Sequence, residues 1–198
     1  MKIGLLGGSF NPAHEGHFHI SEVALKRLGL DYVWWLVSPQ NPLKPTIGMA
    51  PLCHRVEWSQ DEARDPRIRV VDLETQLGTR YTIDTLRALK QRFADVRFVW
   101  LMGSDNLDSF RHWRRWPEIF ESVPIAVIVR PGAALAGVRA KAAQRFSAVR
   151  LADTDARNIA FAKPPAFVVV DGPRSAARST DIRARSDWGQ DLVRVFPA

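Results

Sequence analysis

The run Tyr32-Val33-Trp34-Trp35-Leu36-Val37 has almost no polar side to turn toward water, and it constrains the fold more than any other feature. Side chains alternate between faces along a strand, so a strand apolar on both faces must be covered on both. The run Lys2-Ile3-Gly4-Leu5-Leu6 and residues 96–102, 125–129 and 166–170 repeat the pattern, and 67–73 alternates as a further strand. Between these runs the period changes. Ile20, Val23, Ala24 and Leu28 recur at helical spacing and stop before Gly29. Residues 52–63 follow Pro51 as a helix, and Ile83, Leu86, Leu89 and Phe93 mark one face of another over 82–93. Residues 133–165, rich in Ala and Arg, have the weakest pattern and are read as a helix and loops; a short helix begins at 180–185. Strands alternating with helices predict an α/β fold, a single doubly wound parallel sheet. No repeat, low-complexity tract or linker divides the 198 residues, so one domain is expected over 1–198.

Composition narrows the function classes. A chain 46% hydrophobic and 25% charged is of ordinary globular type. The single cysteine, Cys53, excludes an intrachain disulfide and any thiolate metal cluster. The apolar N-terminal run breaks at Gly7-Gly8, no cleavage-type segment follows, and no window approaches the ~18 apolar residues of a membrane helix. A cytoplasmic protein without a membrane partner is expected. The net charge of +7 first suggests nucleic acid, but no basic run is longer than the Arg114-Arg115 pair. A diffuse excess also suits an enzyme that handles several phosphates. No stacking platform or basic stripe is legible, so no nucleic-acid partner is expected.

In doubly wound sheets ligands bind beyond the carboxyl ends of the strands. The polar clusters after strand ends are 7–17, 38–44, 103–105 and 172–183. In the first, Gly7-Gly8 lets backbone amides approach an anion, and the turn feeds a helix whose N-terminus adds positive charge. His14 and His17, three residues apart, can face one ligand from a starting helical turn. The spacing also allows a metal pair, but Glu15 would project away from both rings and no cysteine is near, so no metal site is expected. In the last cluster, hydroxyls of Ser179 and Thr180 at a helix start, with Arg183 one turn on, make a phosphate site.

Gly8-Ser9-Phe10-Asn11-Pro12-Ala13-His14-Glu15-Gly16-His17 resembles the Gly-x-Phe-x-Pro-x-His-x-Gly-His signature of the cytidylyltransferase-like nucleotidyltransferases. Ser179-Thr180-Asp181-Ile182-Arg183 is similar to the end of their Ile-Ser-Ser-Thr-x-Ile-Arg motif, with Ala177 and Arg178 in place of Ile-Ser. Met102-Gly103-Ser104-Asp105-Asn106-Leu107 with Phe110, Trp113 and Trp116, the Tyr81-Thr82-Ile83-Asp84-Thr85-Leu86 start, and Asn41-Pro42-Leu43-Lys44 resemble patterns of the nicotinate-mononucleotide adenylyltransferases. The stretch 186–198 is short for that family.

The resemblance implies a Rossmann-like nucleotidyltransferase fold and transfer of the adenylyl group from ATP to nicotinate mononucleotide, with Mg2+ arriving on the ATP. It casts His14, His17 and Arg183 as catalytic, and Gly8, Ser9, Phe10, Gly103, Asp105, Ser179 and Thr180 as ATP contacts. Asn41, Lys44, Thr82 and Trp113 would hold the mononucleotide. Nicotinamide mononucleotide or pantetheine phosphate as acceptor stays open, since the two phosphate motifs do not separate them. Replacing His17 by Ala is expected to slow turnover with thermal stability nearly unchanged. Trp34, Trp35 and Trp100 sit in strand patterns and are expected in the core.

Overall fold

The structure is a computed structural model that describes residues 1–40, 48–129 and 141–171. Among the described residues seven strands make one sheet: β1 (Lys2–Gly8), β2 (Tyr32–Val37), β3 (Ile68–Val71), β4 (Arg97–Gly103), β5 (Ile125–Ile128), β6 (Arg150–Leu151) and β7 (Phe167–Val170). Their order is β3-β2-β1-β4-β5-β7-β6, and every pairing is parallel. The chain moves outward from β1 through β2 to β3, then returns to lay β4 on the other side of β1. The strand order therefore reverses between β1 and β4, where the open crevice of such a sheet lies.

The two-sided apolar runs are explained by a covered layer on each face. Leu6, Trp35, Val99, Leu101 and Ala126 face α1 (Glu15–Arg27), which contributes Ile20, Val23 and Ala24. Their strand neighbours Leu5, Leu36, Trp100, Met102 and Val127 face the other way. There they meet Ile83, Leu86 and Leu89 of α4 (Thr82–Arg92) and Ile119 and Phe120 of α6 (Trp116–Ser122). Each such side chain contributes about 1.5–3 kcal/mol by leaving water, so neither face can be uncovered without unfolding the sheet. Trp35 and Trp100 are buried as expected, while Trp34 is half-buried against the second cluster.

Local signals set the element ends. Gly29 takes φ +60° just after Leu28 ends α1, a left-handed position that a β-carbon disfavours. Glu15 in the first turn and Lys26 and Arg27 in the last oppose the helix dipole. Helix α2 (Leu52–Glu62) begins behind Pro51 as expected.

Two expectations are revised, and the stretch between β4 and β5, which the sequence left unassigned, is filled. The alternation over 67–73 forms a strand only over Ile68–Val71, because this edge strand has just β2 to pair with and its register ends at Leu36 opposite Val71. Leu73 instead opens α3 (Leu73–Gln76). Between β4 and β5 the chain folds as α5 (Ser104–Ser109), a 3-10 turn (Phe110–His112) and α6. The described part of 133–165 holds α7 (Lys141–Arg145), the two-residue strand β6 and a 3-10 helix, Asp153–Phe161. Two residues carry no period, so β6 exists only through its pairing with β7. The helix expected at 180–185 and the stretch 186–198 lie outside the described residues. No helix among the described residues is long and apolar enough to cross a membrane.

Candidate active site

β1 ends at Gly8, and the chain turns through Ser9 to Ala13 before α1 begins. His14 is the N-cap of α1, extended at φ −159°, and buried. Its Nδ1 accepts from the Gly16 amide at 3.0 Å, and the Nδ1 of His17 accepts from the His14 amide at 3.3 Å. The two imidazoles thus cap the helix reciprocally, in the roles usually held by a hydroxyl and a carboxylate. An Nδ1 that accepts an amide hydrogen carries none itself, so each neutral ring holds its hydrogen on Nε2 and is a donor there. The ring centroids are 4.0 Å apart. The result is a pair of ring donors at the positive end of a 13-residue helix.

Phe10 explains why the His17 ring is held. Its backbone is left-handed at φ +47°, a conformation that costs a non-glycine residue roughly 1–3 kcal/mol. That places its buried ring 4.6 Å from His17 and stacked 5.2 Å from Trp35. The Phe10 ring therefore acts beneath His17. Since His17 both caps α1 and packs on this aromatic floor, its replacement by Ala is now expected to cost stability, where the sequence alone led to an expectation of nearly unchanged stability.

Ser9 is 7% exposed, and its hydroxyl has no hydrogen-bond partner among the described residues. A buried hydroxyl without a partner costs free energy unless a ligand supplies the bond. On the neighbouring strand, β4 ends at Gly103, which is the N-cap of α5, and Asp105 lies exposed in the first turn. β1 and β4 are paired in register through Leu6 and Leu101. The Gly8–His17 turn and the Gly103–Asp105 turn therefore emerge side by side at the switch point.

Thr82 is the first residue of α4, half-buried, and no side chain caps this helix. Trp113 follows the 3-10 turn after α5, half-buried, with its ring 4.9 Å from Phe110 and edge-on to Trp100 at 6.0 Å. Both belong to the layer on the second face, whereas Phe10 and α1 belong to the first. The structure thus brings Gly8, Ser9, Phe10, His14, His17, Gly103 and Asp105 to one stretch of sheet edge, and sets Thr82 and Trp113 on the layer flanking it. Asn41, Lys44, Ser179, Thr180 and Arg183 lie outside the described residues.

Three residues of this region were not singled out from sequence. Arg55, on α2, is 1% exposed. It donates from Nε to Ala50 O at 2.9 Å, from Nη1 to Ser9 O at 2.6 Å and Ser38 O at 2.7 Å, and from Nη2 to Pro39 O at 2.9 Å. Burial pushes its guanidinium below the ordinary value, and the nearby Cys53 opposes that. Asn11 donates from Nδ2 to Gly48 O at 2.9 Å and accepts at Oδ1 from the Ala50 amide at 3.0 Å. Glu74, the third, is 7% exposed and accepts from the Thr85 hydroxyl at 3.4 Å. Burial pushes its carboxyl above the usual range, against hydrogen bonds from Ser38 and Thr85. The available signal was a charged residue in a core-facing register: Arg55 and Ser59 are the buried residues of α2.

The chain is similar to known proteins of one family. Residues 5–185 match the cytidylyltransferase-like family. The chain is 54% identical over 188 residues to a protein of Parvibaculum lavamentivorans named "Probable nicotinate-nucleotide adenylyltransferase", covering 95% of this chain and 94% of that one. It is 51% identical over 185 residues to a protein of the same name from Methylorubrum extorquens, covering 93% and 100%. Among solved structures, Plasmodium falciparum nicotinic acid mononucleotide adenylyltransferase complexed with NaAD shares the fold. Its TM-score is 0.69 at 16% identity, over 98% of this chain and 89% of that one.

Proposed function

This chain belongs to the cytidylyltransferase-like family and, within it, to the nicotinate-nucleotide adenylyltransferases; from that premise we propose that it transfers the adenylyl group of ATP to nicotinate mononucleotide, as a cytoplasmic enzyme of NAD biosynthesis. The 5′-phosphate of the mononucleotide attacks the α-phosphorus of ATP. The α–β bridging bond breaks, pyrophosphate leaves, and nicotinate adenine dinucleotide is formed. Such transfers need in-line positioning and neutralised oxygens more than a covalent nucleophile, so no enzyme-bound intermediate is invoked.

The observation that carries this reading is the reciprocal capping of His14 and His17. It turns two rings into Nε2 donors at a helix N-terminus, beside the switch point of the sheet. Donors fixed in advance stabilise charge that develops on phosphate oxygens without reorganising during the reaction. His14 and His17 take the α-phosphate and the oxygens toward the leaving pyrophosphate. The unpartnered Ser9 hydroxyl and the Gly8 turn support the triphosphate. Arg183, Ser179 and Thr180 hold the β- and γ-phosphates, and Gly103 and Asp105 take the nucleoside side of ATP. Trp113 offers an indole face to the pyridinium. Thr82 and Asn41 surround its carboxylate, and Lys44 pairs with the phosphate.

Mg2+ would arrive with the ATP and would neutralise charge on its phosphates. Among the described residues no group of three or more His, Cys, Asp or Glu side chains is placed to hold a metal ion, and no step is routed through one.

The test is pyrophosphate release from ATP and Mg2+ with nicotinate mononucleotide, nicotinamide mononucleotide or pantetheine phosphate supplied separately. Preference for the nicotinate compound is expected. Preference for another acceptor would retain the histidine site and discard the pyridine roles of Asn41, Thr82 and Trp113. No release with any acceptor would sink the proposal.

A further inference from the structure

Trp35 is fully buried in β2, opposite Leu6 of β1 in the sheet register. Core packing accounts for an apolar ring at that position, but not for what the ring's N–H does. Trp35 Nε1 donates to the Ser21 hydroxyl at 2.7 Å, and that hydroxyl donates to the main-chain carbonyl of His17 at 2.9 Å. Ser21, one turn along α1 from His17, is itself fully buried. A hydroxyl has one donor and two acceptor sites, so it can pass a bond from the strand to the helix. The same indole stacks on the Phe10 ring at 5.2 Å, and Phe10 lies 4.6 Å from the His17 ring. Trp35 thus reaches His17 by two routes, one to its backbone and one to its imidazole, while the Trp35 and His17 rings themselves stand 6.0 Å apart.

We propose that Trp35 is a positioning residue for the adenylyl transfer: through the Ser21 hydroxyl and the Phe10 ring it fixes where the His17 imidazole stands, and so sets the rate of the transfer rather than the affinity for ATP or acceptor. The inference rests on the function proposed above, which gives His17 its charge-stabilising role.

The two routes add something that the reciprocal histidine cap does not supply. The cap fixes the His17 ring relative to its own helix, but not the place of that helix on the sheet. A buried relay from β2 to the first turn of α1 ties the helix to the strand beside β1, and β1 is the strand whose turn carries Gly8, Ser9 and Phe10. Inside the protein such a chain of bonds is stronger than in water, and each member polarises the next. A donor that acts on charge developing in the transition state is effective only where it has been fixed in advance. Its displacement therefore costs rate and leaves ground-state binding little changed.

The experiment compares the wild-type enzyme with Trp35→Phe and Ser21→Ala, each made also in the His17→Ala background, after thermal unfolding has shown that each variant is folded. Trp35→Phe keeps an aromatic ring beside Phe10 and loses the donor, whereas Ser21→Ala breaks the relay at its middle. In either variant the single-turnover rate falls about tenfold, a part of the roughly 10²-fold that misplacement by about 1 Å costs. The KM for ATP and the KM for nicotinate mononucleotide stay within about twofold. Without His17 the same substitutions change the rate by less than about twofold, because they act through it. In Ser21→Ala, which alters no ring, NMR cross-relaxation between the Phe10 and His17 rings weakens. An unchanged rate, an equal loss with and without His17, a rise in KM in place of the loss of rate, or unchanged cross-relaxation overturns the inference. If Trp35→Phe does not fold, the Ser21→Ala arm decides. Should the wild-type enzyme adenylate no mononucleotide, the proposed function falls, while the cross-relaxation still decides whether the relay holds the ring.

Discussion

The main-chain amide of His14 donates to Nδ1 of His17 at 3.3 Å, and the two rings stand 4.0 Å apart. One residue of the pair is the N-cap of α1 and the other its third helical residue, so the same bond closes the helix end and orients the ring proposed to act in the transfer. Replacing His17 by Ala should cut turnover by roughly 10²-fold or more, the scale of losing one donor to developing charge. The variant should also lose about 1 kcal/mol of stability, the scale of a lost cap. Single-turnover kinetics and denaturant unfolding check the two separately. Near-normal turnover would remove His17 from the site, and unchanged stability would deny its capping role.

Glu74 titrates against the fold. Burial raises its folded-state pKa above the ordinary carboxylate value, although Ser38 and Thr85 pull it back. The folded protein then holds a proton that the unfolded chain has released. Stability falls as pH rises from the ordinary carboxylate value through the raised one, and the penalty is complete above that. Glu74→Gln should flatten this part of the stability profile and make the protein more stable at neutral pH. Denaturant midpoints across that range, run for both proteins, decide it; parallel curves would count against a penalised carboxyl.

Gly7 lies under the Trp100 indole. A β-carbon at Gly7 would stand 2.6 Å from the ring, closer than any real contact. Both groups are within the sheet layer, so the ring has little room to withdraw. Gly7→Ala should cost about 1–3 kcal/mol, the usual range for overpacking, and should change Trp100 fluorescence. A variant as stable as the wild type would show that this packing yields easily.

Trp113 is half-buried, with its ring packed on Phe110 and edge-on to Trp100, and it is proposed to face the pyridinium. Trp113→Phe retains an aromatic ring for the core but gives a weaker face to a cation. It should raise the KM for nicotinate mononucleotide several-fold, with thermal stability and the KM for ATP little altered. Trp113→Ala should lower stability as well. If Trp113→Phe leaves the acceptor KM where it was, the indole is a core residue only.

Much of the histidine site was legible because its geometry is local. His14, Gly16 and His17 lie within four positions, and a helix start brings any such trio together whatever the rest of the chain does. The same holds for Gly29, whose left-handed backbone follows from the end of α1. Phe10 was legible only as a residue of the turn. That its ring lies under His17 depends on Trp35, a neighbour from the adjacent strand.

By itself the sequence determined the fold class, since runs such as Tyr32–Val37 cannot satisfy both faces except inside a covered parallel sheet, and it determined the capped histidine turn, since that turn closes on itself. Only the tertiary structure decided the strand order that puts Gly8 beside Gly103, the two-residue strand β6, and the burial of Glu74, Asn11 and Arg55. Arg55 reaches Ser9 across 46 positions and Asn11 reaches Gly48 across 37. Bonds of that span leave no period along the chain. They exist because sheet pairing and burial carry distant loops into one place, where each buried donor must find whatever acceptor the fold has delivered.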